Sequence, residues 1–180
     1  MNAPQTPREW IAAGKKAYAA GDYAAAAEAY AGAAEALREG GQDLDAAEME
    51  NNRAVSLLQI NRAEGAREAV RGTAEIFAAA GDLKRQAIAL ANTAAAEEGL
   101  GEKERALELY RRSADLLAEL GEDQLRAEVM KSISSLQLRD RDALGALFSM
   151  RRGLAEVENP TLVQRLLKRL LELPAKFLPR

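Results

Sequence analysis

An internal repeat with a period of 40 residues runs through this chain. One column of the repeat is Ala in every unit, at Ala26, Ala66, Ala106 and Ala146. Two columns hold only small residues: Gly14, Ala54, Ala94 and Ser134 in one, and Ala33, Thr73, Ser113 and Gly153 in the other. Two more hold large apolar residues: Tyr30, Val70, Tyr110 and Met150, and Leu37, Phe77, Leu117 and Val157. Four copies in one register predict a repeat protein with four structural units.

Turn residues recur with the same period. They lie between units at 40–41, 80–82, 120–123 and 158–160, and within units at 21–22, 61–62, 101–102 and 141–142. Each unit is therefore predicted to contain a helix, a short turn and a second helix. The predicted pairs span 7–20 and 23–39, 43–60 and 63–79, 83–99 and 102–119, and 123–139 and 142–157. A ninth helix is predicted over 161–173, because Pro160 displaces the residue before it from helical geometry and so ends the last pair.

Composition indicates that the units are helical throughout. Hydrophobic residues make up 48% of the 180 residues and charged residues 29%, with Ala, Leu, Glu and Arg dominant. These four residue types lose little side-chain freedom in a helix. Small residues at the recurring positions let paired helices approach to roughly 8 Å, and each pair leaves an apolar face that must stack on its neighbour. The predicted fold is all-α: a right-handed α-α superhelix, or solenoid, of four helix pairs plus a C-terminal capping helix.

The first repeat carries a recognisable motif, which consists of Trp10, Gly14, the turn at 21–23, Ala26, Tyr30 and Ala33. At these positions the chain resembles the tetratricopeptide repeat (TPR) family, with a long period of 40 residues instead of about 34. The resemblance implies four TPR-like repeats, at 7–40, 41–80, 81–120 and 121–160, between a loose N-terminal lead at 1–6 and a capping helix and tail at 161–180. Glu50 and Arg53 stand where the family places packing residues, and we expect them to pair across one turn and to point outward.

The resemblance also implies a function. Members of this family bind ligands along a concave groove that is lined by the first helix of each pair. Carried onto this sequence, the groove presents Lys15, Asn52, Val55, Gln59, Asn92, Ser132 and Arg139. The implied function is a non-enzymatic protein-protein interaction module, or adaptor, that binds a partner peptide or helix in this groove. The alternative is a self-associating structural scaffold that uses the C-terminal helix as a dimer or membrane-surface interface.

Asn52 and Asn92 occupy the same column of the repeat, 40 residues apart. A carboxamide offers one acceptor and two donors, so it can bind both the C=O and the N–H of a peptide backbone. Small residues on the same faces, Ala95 and Gly99 among them, are expected to leave room for an extended guest. Two other interpretations stay open: the two Asn side chains are solvated on a helix face, or they make structural hydrogen bonds.

Chemistry that needs a catalytic centre or a cofactor is not supported. The sequence contains no Cys and no His, which removes thiolate and imidazole metal ligands and the usual nucleophiles and general bases. Glu97 and Glu98 are adjacent, and neighbouring helical residues point about 100° apart, so these carboxylates cannot flank one bond. We expect no catalytic residue, no metal site and no cofactor.

Charge and hydropathy restrict the partners. Residues 1–100 carry 10 basic against 15 acidic side chains and residues 101–180 carry 15 against 13, for a net charge of −3, without the basic stripe of a nucleic-acid binder. No apolar run reaches the roughly 18 to 20 residues that span a bilayer, and no signal peptide is recognisable. We therefore expect a cytoplasmic protein with a protein or peptide partner, no nucleic-acid partner and no membrane span.

The predicted ninth helix has an apolar stripe, formed by Leu162, Val163, Leu166, Leu167, Leu170, Leu171 and Leu173. One interpretation is a cap that packs on the fourth helix pair, since a stack needs its last apolar face closed. The other is an exposed helix that makes a homodimer or binds a membrane surface. The basic residues of the helix and the apolar residues Phe177 and Leu178 favour this interpretation.

Overall fold

The computed structural model describes residues 6–171, and within that range the chain forms ten α-helices and no strand. They are α1 (Pro7–Ala19), α2 (Tyr23–Glu39), α3 (Asp43–Gln59), α4 (Ala63–Ala69), α5 (Thr73–Ala79), α6 (Leu83–Gly99), α7 (Lys103–Glu119), α8 (Asp123–Arg139), α9 (Ala143–Ala155) and α10 (Leu162–Leu171). Consecutive helices pack against each other, as α1 does on α2 and α8 on α9. The all-α class and the pairing of consecutive helices are therefore confirmed. The chain divides into two compact units, and the boundary falls inside α7, between Leu109 and Tyr110.

The turns between helices recur every 20 residues with the same backbone geometry. The second turn residue has a positive φ each time, at Gly21, Gly41, Asn61, Gly81, Gly101, Gly121 and Arg141. A left-handed residue just past a helix lets its N–H satisfy a free carbonyl of the last turn, and here the N–H of Gly21 donates to the Tyr18 carbonyl at 3.0 Å. The turns predicted from sequence are confirmed.

The prediction of one continuous helix over 63–79 is wrong. The chain leaves helical geometry after α4 and re-enters it at α5, with Gly72 at φ 77° between them. Thr73 closes the break, because its Oγ1 donates to the carbonyl of Val70 at 2.9 Å. Gly32 occupies the same repeat column but stays inside α2, where a Cβ would lie 2.8 Å from the Trp10 ring. Two glycines in one column therefore have different roles.

The first unit, which ends at Leu109, has a core of small residues with large ones beside them. All three Ala of the invariant column in this unit are fully buried: Ala26, Ala66 and Ala106. Tyr30 and Phe77 are buried beside them, and Tyr30 reaches the surface of Gly14, where an added Cβ would lie 2.8 Å from the ring. The periodic columns thus predicted the core correctly, because small residues set how closely the helices approach.

The predicted pairing of Glu50 with Arg53 is confirmed, at 3.2 Å. Glu50 also accepts a hydrogen bond from Arg38 of α2 at 3.2 Å. Two cations therefore neutralise one carboxylate that is largely shielded from solvent.

The second unit is built on the α8–α9 pair. Ala146 is buried, and its carbonyl accepts a hydrogen bond from the Ser134 hydroxyl at 2.9 Å. Gly153 lets α9 approach α8, since a Cβ there would lie 2.6 Å from the Met130 Cβ. The buried guanidinium of Arg126 is paired with Glu156 beyond the end of α9.

Candidate functional site

The candidate site lies in the first unit, where α3 packs against α6. Two polar contacts join these helices. The Nδ2 of Asn92 donates to the Oδ1 of Asn51 at 2.9 Å, and Arg85 donates to the Glu48 carboxylate at 3.2 Å. Asn51 is buried, and its own Nδ2 donates to the Ala47 carbonyl at 2.9 Å. The carboxamide of Asn92 is therefore held in place by a second carboxamide beneath it.

Four of the predicted site residues lie on these two helices. Asn52 and Val55 of α3 and Asn92 of α6 are half-buried, and Gln59 of α3 is exposed. Among the described residues, the Asn52 side chain has no hydrogen-bond partner, while its carbonyl accepts from Ser56 at 2.9 Å. Asn92 uses one of its two amide hydrogens on Asn51, which leaves one donor and one acceptor. The neighbouring helices α3 and α6 therefore each carry a carboxamide with unused hydrogen-bonding capacity.

The other three predicted residues lie elsewhere. Lys15 is exposed on α1, in the first unit. Ser132 and Arg139 lie on α8, in the second unit: Arg139 is exposed, and the half-buried Ser132 donates to the Glu128 carbonyl at 3.4 Å.

Sequence reasoning missed Asn51. Helical geometry turns each residue about 100° from the next, so a residue beside a groove position points at the neighbouring helix. Asn51 directly precedes Asn52 and has no Asn partner one repeat later, where Ala91 stands. The only indication of this contact in the sequence was one polar residue at a position that faces the neighbouring helix.

Gly99 does not make room for a guest as we expected. A Cβ on Gly99 would lie 2.7 Å from the Cβ of Ala63, so the glycine lets the end of α6 approach the start of α4. Glu97 is buried and accepts a hydrogen bond from Arg105 at 3.2 Å. Both positions therefore hold the first unit together.

A charged cluster fixes the start of α6. The Asp82 carboxylate accepts from the backbone N–H of Arg85 at 2.9 Å and from its Nε at 2.6 Å. These two hydrogen bonds, the backbone one first, lower the pKa of Asp82, and the bond to Asp82 raises the pKa of Arg85. The guanidinium also lies 5.1 Å from the centre of the Phe77 ring, which adds a cation–π attraction. Arg85 therefore links α6 to α3 and α5.

Within residues 6–171, no cluster of acidic side chains is arranged to hold a metal ion. None of the helices among these residues combines the length and the hydropathy that a bilayer span requires.

Comparison with known proteins gives no family assignment. The chain matches no protein-family model, and no curated protein is similar enough in sequence to count as a match.

Proposed function

We propose that the chain is a non-enzymatic protein-interaction module that captures an extended peptide segment of a partner on the α3–α6 face. One observation carries the proposal: the Asn92 carboxamide is anchored by Asn51 at 2.9 Å and lies on the helix next to the accessible Asn52. An anchored carboxamide loses little conformational freedom when it binds, which favours affinity. The likeness to tetratricopeptide repeats supports the same face, because it assigns both Asn to the ligand groove.

The spacing of the two helices suits an extended backbone. Packed helices lie roughly 8 to 10 Å apart, and an extended chain rises about 3.3 Å per residue. A peptide that crosses from α3 to α6 therefore places peptide units about three residues apart over Asn52 and Asn92. Each carboxamide can then bind one C=O and one N–H without contacting the ligand side chains. Such binding holds the peptide backbone, and a preference for particular ligand side chains would come from neighbouring residues such as Val55.

The test uses peptides selected from a displayed library of random linear peptides, with affinity measured by fluorescence anisotropy. Asn52→Ala is expected to weaken binding about three- to tenfold, the effect of losing one or two hydrogen bonds. Its melting temperature is expected to match that of the wild type, because no described residue makes a hydrogen bond to the Asn52 side chain.

Gln42→Ala is the matched control. It also removes a carboxamide, from an exposed residue that makes no side-chain cap hydrogen bond before α3, and it is expected to leave affinity unchanged. The proposal is wrong if the selected peptides bind Asn52→Ala as tightly as the wild type, or if Gln42→Ala weakens them equally.

A further inference from the structure

Helix α10 is capped at its start and is hydrogen-bonded to the rest of the second unit at two points. Its start is capped by Thr161, whose Oγ1 accepts from the N–H of Gln164 at 3.3 Å. The side chain of Gln164 donates in turn to Gln124 of α8 at 3.3 Å. Further along, the Nζ of Lys168 donates to the carbonyl of Ala155, the last residue of α9, at 3.0 Å. These contacts set which side of α10 faces the protein.

The apolar stripe of α10 is divided between the protein and the solvent. Leu167 and Leu171 are half-buried toward the α8–α9 pair, where they line shallow pockets with Leu154. The other stripe residues within 162–171 are exposed, at 66% for Leu162, 65% for Val163, 59% for Leu166 and 56% for Leu170. Residues four apart share a helix face, so three of these leucines form one continuous outward row.

Basic side chains border this row. Arg165 and Arg169 are exposed, and neither has an ion-pair partner among residues 6–171. At about 100° per residue, both lie at one edge of the leucine row. Helix α10 contains three basic residues and no acidic one. The outward side of α10 is therefore apolar, with a basic edge that no side chain of the described residues neutralises.

From this arrangement we infer that α10 binds the surface of a membrane that contains anionic lipids. The helix lies in the plane of the interface, with the leucine row in the boundary between headgroups and acyl chains. The two arginines extend to the lipid phosphates and carboxylates, while their aliphatic parts stay in the apolar layer. This surface is separate from the α3–α6 face, and the inference does not depend on the proposed peptide binding.

A second copy of the chain suits this surface less well. Antiparallel pairing of α10 with itself brings the edge with Arg165 and Arg169 against the same edge of the second copy, and residues 162–171 include no acidic side chain to offset these charges. A stable protein interface also uses about 20 residues on each side, whereas the outward row offers three leucines. Charge complementarity therefore favours the anionic surface.

The test is co-flotation with vesicles of phosphatidylcholine alone or mixed with phosphatidylserine in a three-to-one ratio. The wild-type chain is expected to float with the mixed vesicles only, and less at high salt, since salt screens exposed charges. Arg165→Gln with Arg169→Gln is expected to weaken binding at least about twentyfold, because each basic contact strengthens it about fivefold. Leu166→Ser with Leu170→Ser is expected to abolish binding while the circular dichroism spectrum stays unchanged.

Two control variants replace residues of the same types elsewhere in the second unit. Arg111→Gln with Arg112→Gln removes two exposed charges from α7, and Leu138→Ser removes a leucine that is 54% exposed on α8. Both are expected to float like the wild type. The inference is overturned if the wild-type chain does not float with the mixed vesicles, or if the arginine control on α7 weakens binding as much as the arginine variant on α10. It is also overturned if the wild type does not float and the leucine variant converts a dimer to a monomer in sedimentation velocity.

Discussion

Asn92 of α6 donates a hydrogen bond of 2.9 Å to the buried Oδ1 of Asn51 on α3. Asn51 donates in turn to a carbonyl of its own helix, so three polar groups form a chain that leads from the protein interior to the surface. Only the outermost group, Asn92, retains capacity for a ligand. The proposed peptide binding therefore depends on a residue that also contributes to stability, and substitution of the inner Asn51 tests the stability part alone.

Removal of the inner carboxamide is expected to cost stability. Asn51→Ala deletes the hydrogen bonds to Ala47 and Asn92 and leaves a small cavity, which should lower the free energy of unfolding by about 1 to 2 kcal/mol. Urea denaturation of Asn51→Ala, Asn92→Ala and the double variant measures the coupling between the two residues. We expect a coupling of at least about 0.5 kcal/mol, as for contacting residues. Additive effects would contradict the contact.

The sequence was sufficient to predict most of the helices and the core. Small and large residues at fixed spacing are local signals, and the columns they form became the buried faces of the helices. Two features depend on contacts that no spacing encodes. Gly32 and Gly72 share a column, but only Gly32 lies under the Trp10 ring and stays helical. The Asn51–Asn92 bond depends on how far α6 is rotated against α3, which a repeat period does not specify.

The turn at the end of α2 offers a matched pair of glycines. Gly41 has φ 71°, whereas its neighbour Gly40 has φ −81° and no atom closer than 3.4 Å to an added Cβ. Gly41→Ala forces an L side chain into the left-handed region and should destabilise the chain by about 1 kcal/mol. Gly40→Ala should be neutral or stabilise it by a few tenths of a kcal/mol. Thermal unfolding checks both, and equal effects would contradict the turn geometry.

Two turns carry a side chain in the left-handed region, Asn61 at φ 56° and Arg141 at φ 62°. Arg141→Gly should stabilise the second unit by about 0.5 to 1 kcal/mol, because relief of strain exceeds the added flexibility of the unfolded chain. Asn61→Gly should change stability less, since Asn tolerates this conformation. The measurement is the urea midpoint of each variant. A larger increase in stability from Asn61→Gly than from Arg141→Gly would contradict this prediction.

Asp82 should contribute a pH-dependent part of the stability. Hydrogen bonds from Arg85 lower its pKa in the folded chain, so its stabilisation is complete above the ordinary Asp pKa of about 3.9 and is lost as pH falls through the lower, folded value. Asp82→Asn keeps an N-cap acceptor but removes the ion pair. At neutral pH it should destabilise the chain by about 0.5 to 1 kcal/mol.

Asp22→Asn supplies the reference for this effect. Asp22 caps α2 in the same way, by accepting the N–H of Ala25 at 3.0 Å, but the residue three positions later carries no guanidinium. Substitution there should therefore cost less than at Asp82. Urea denaturation at neutral pH should show a difference between the two variants, and that difference should shrink near pH 3, because the unfolded chain binds a proton at Asp82 before the folded chain does. A difference that stays constant would mean that the ion pair with Arg85 does not stabilise the fold.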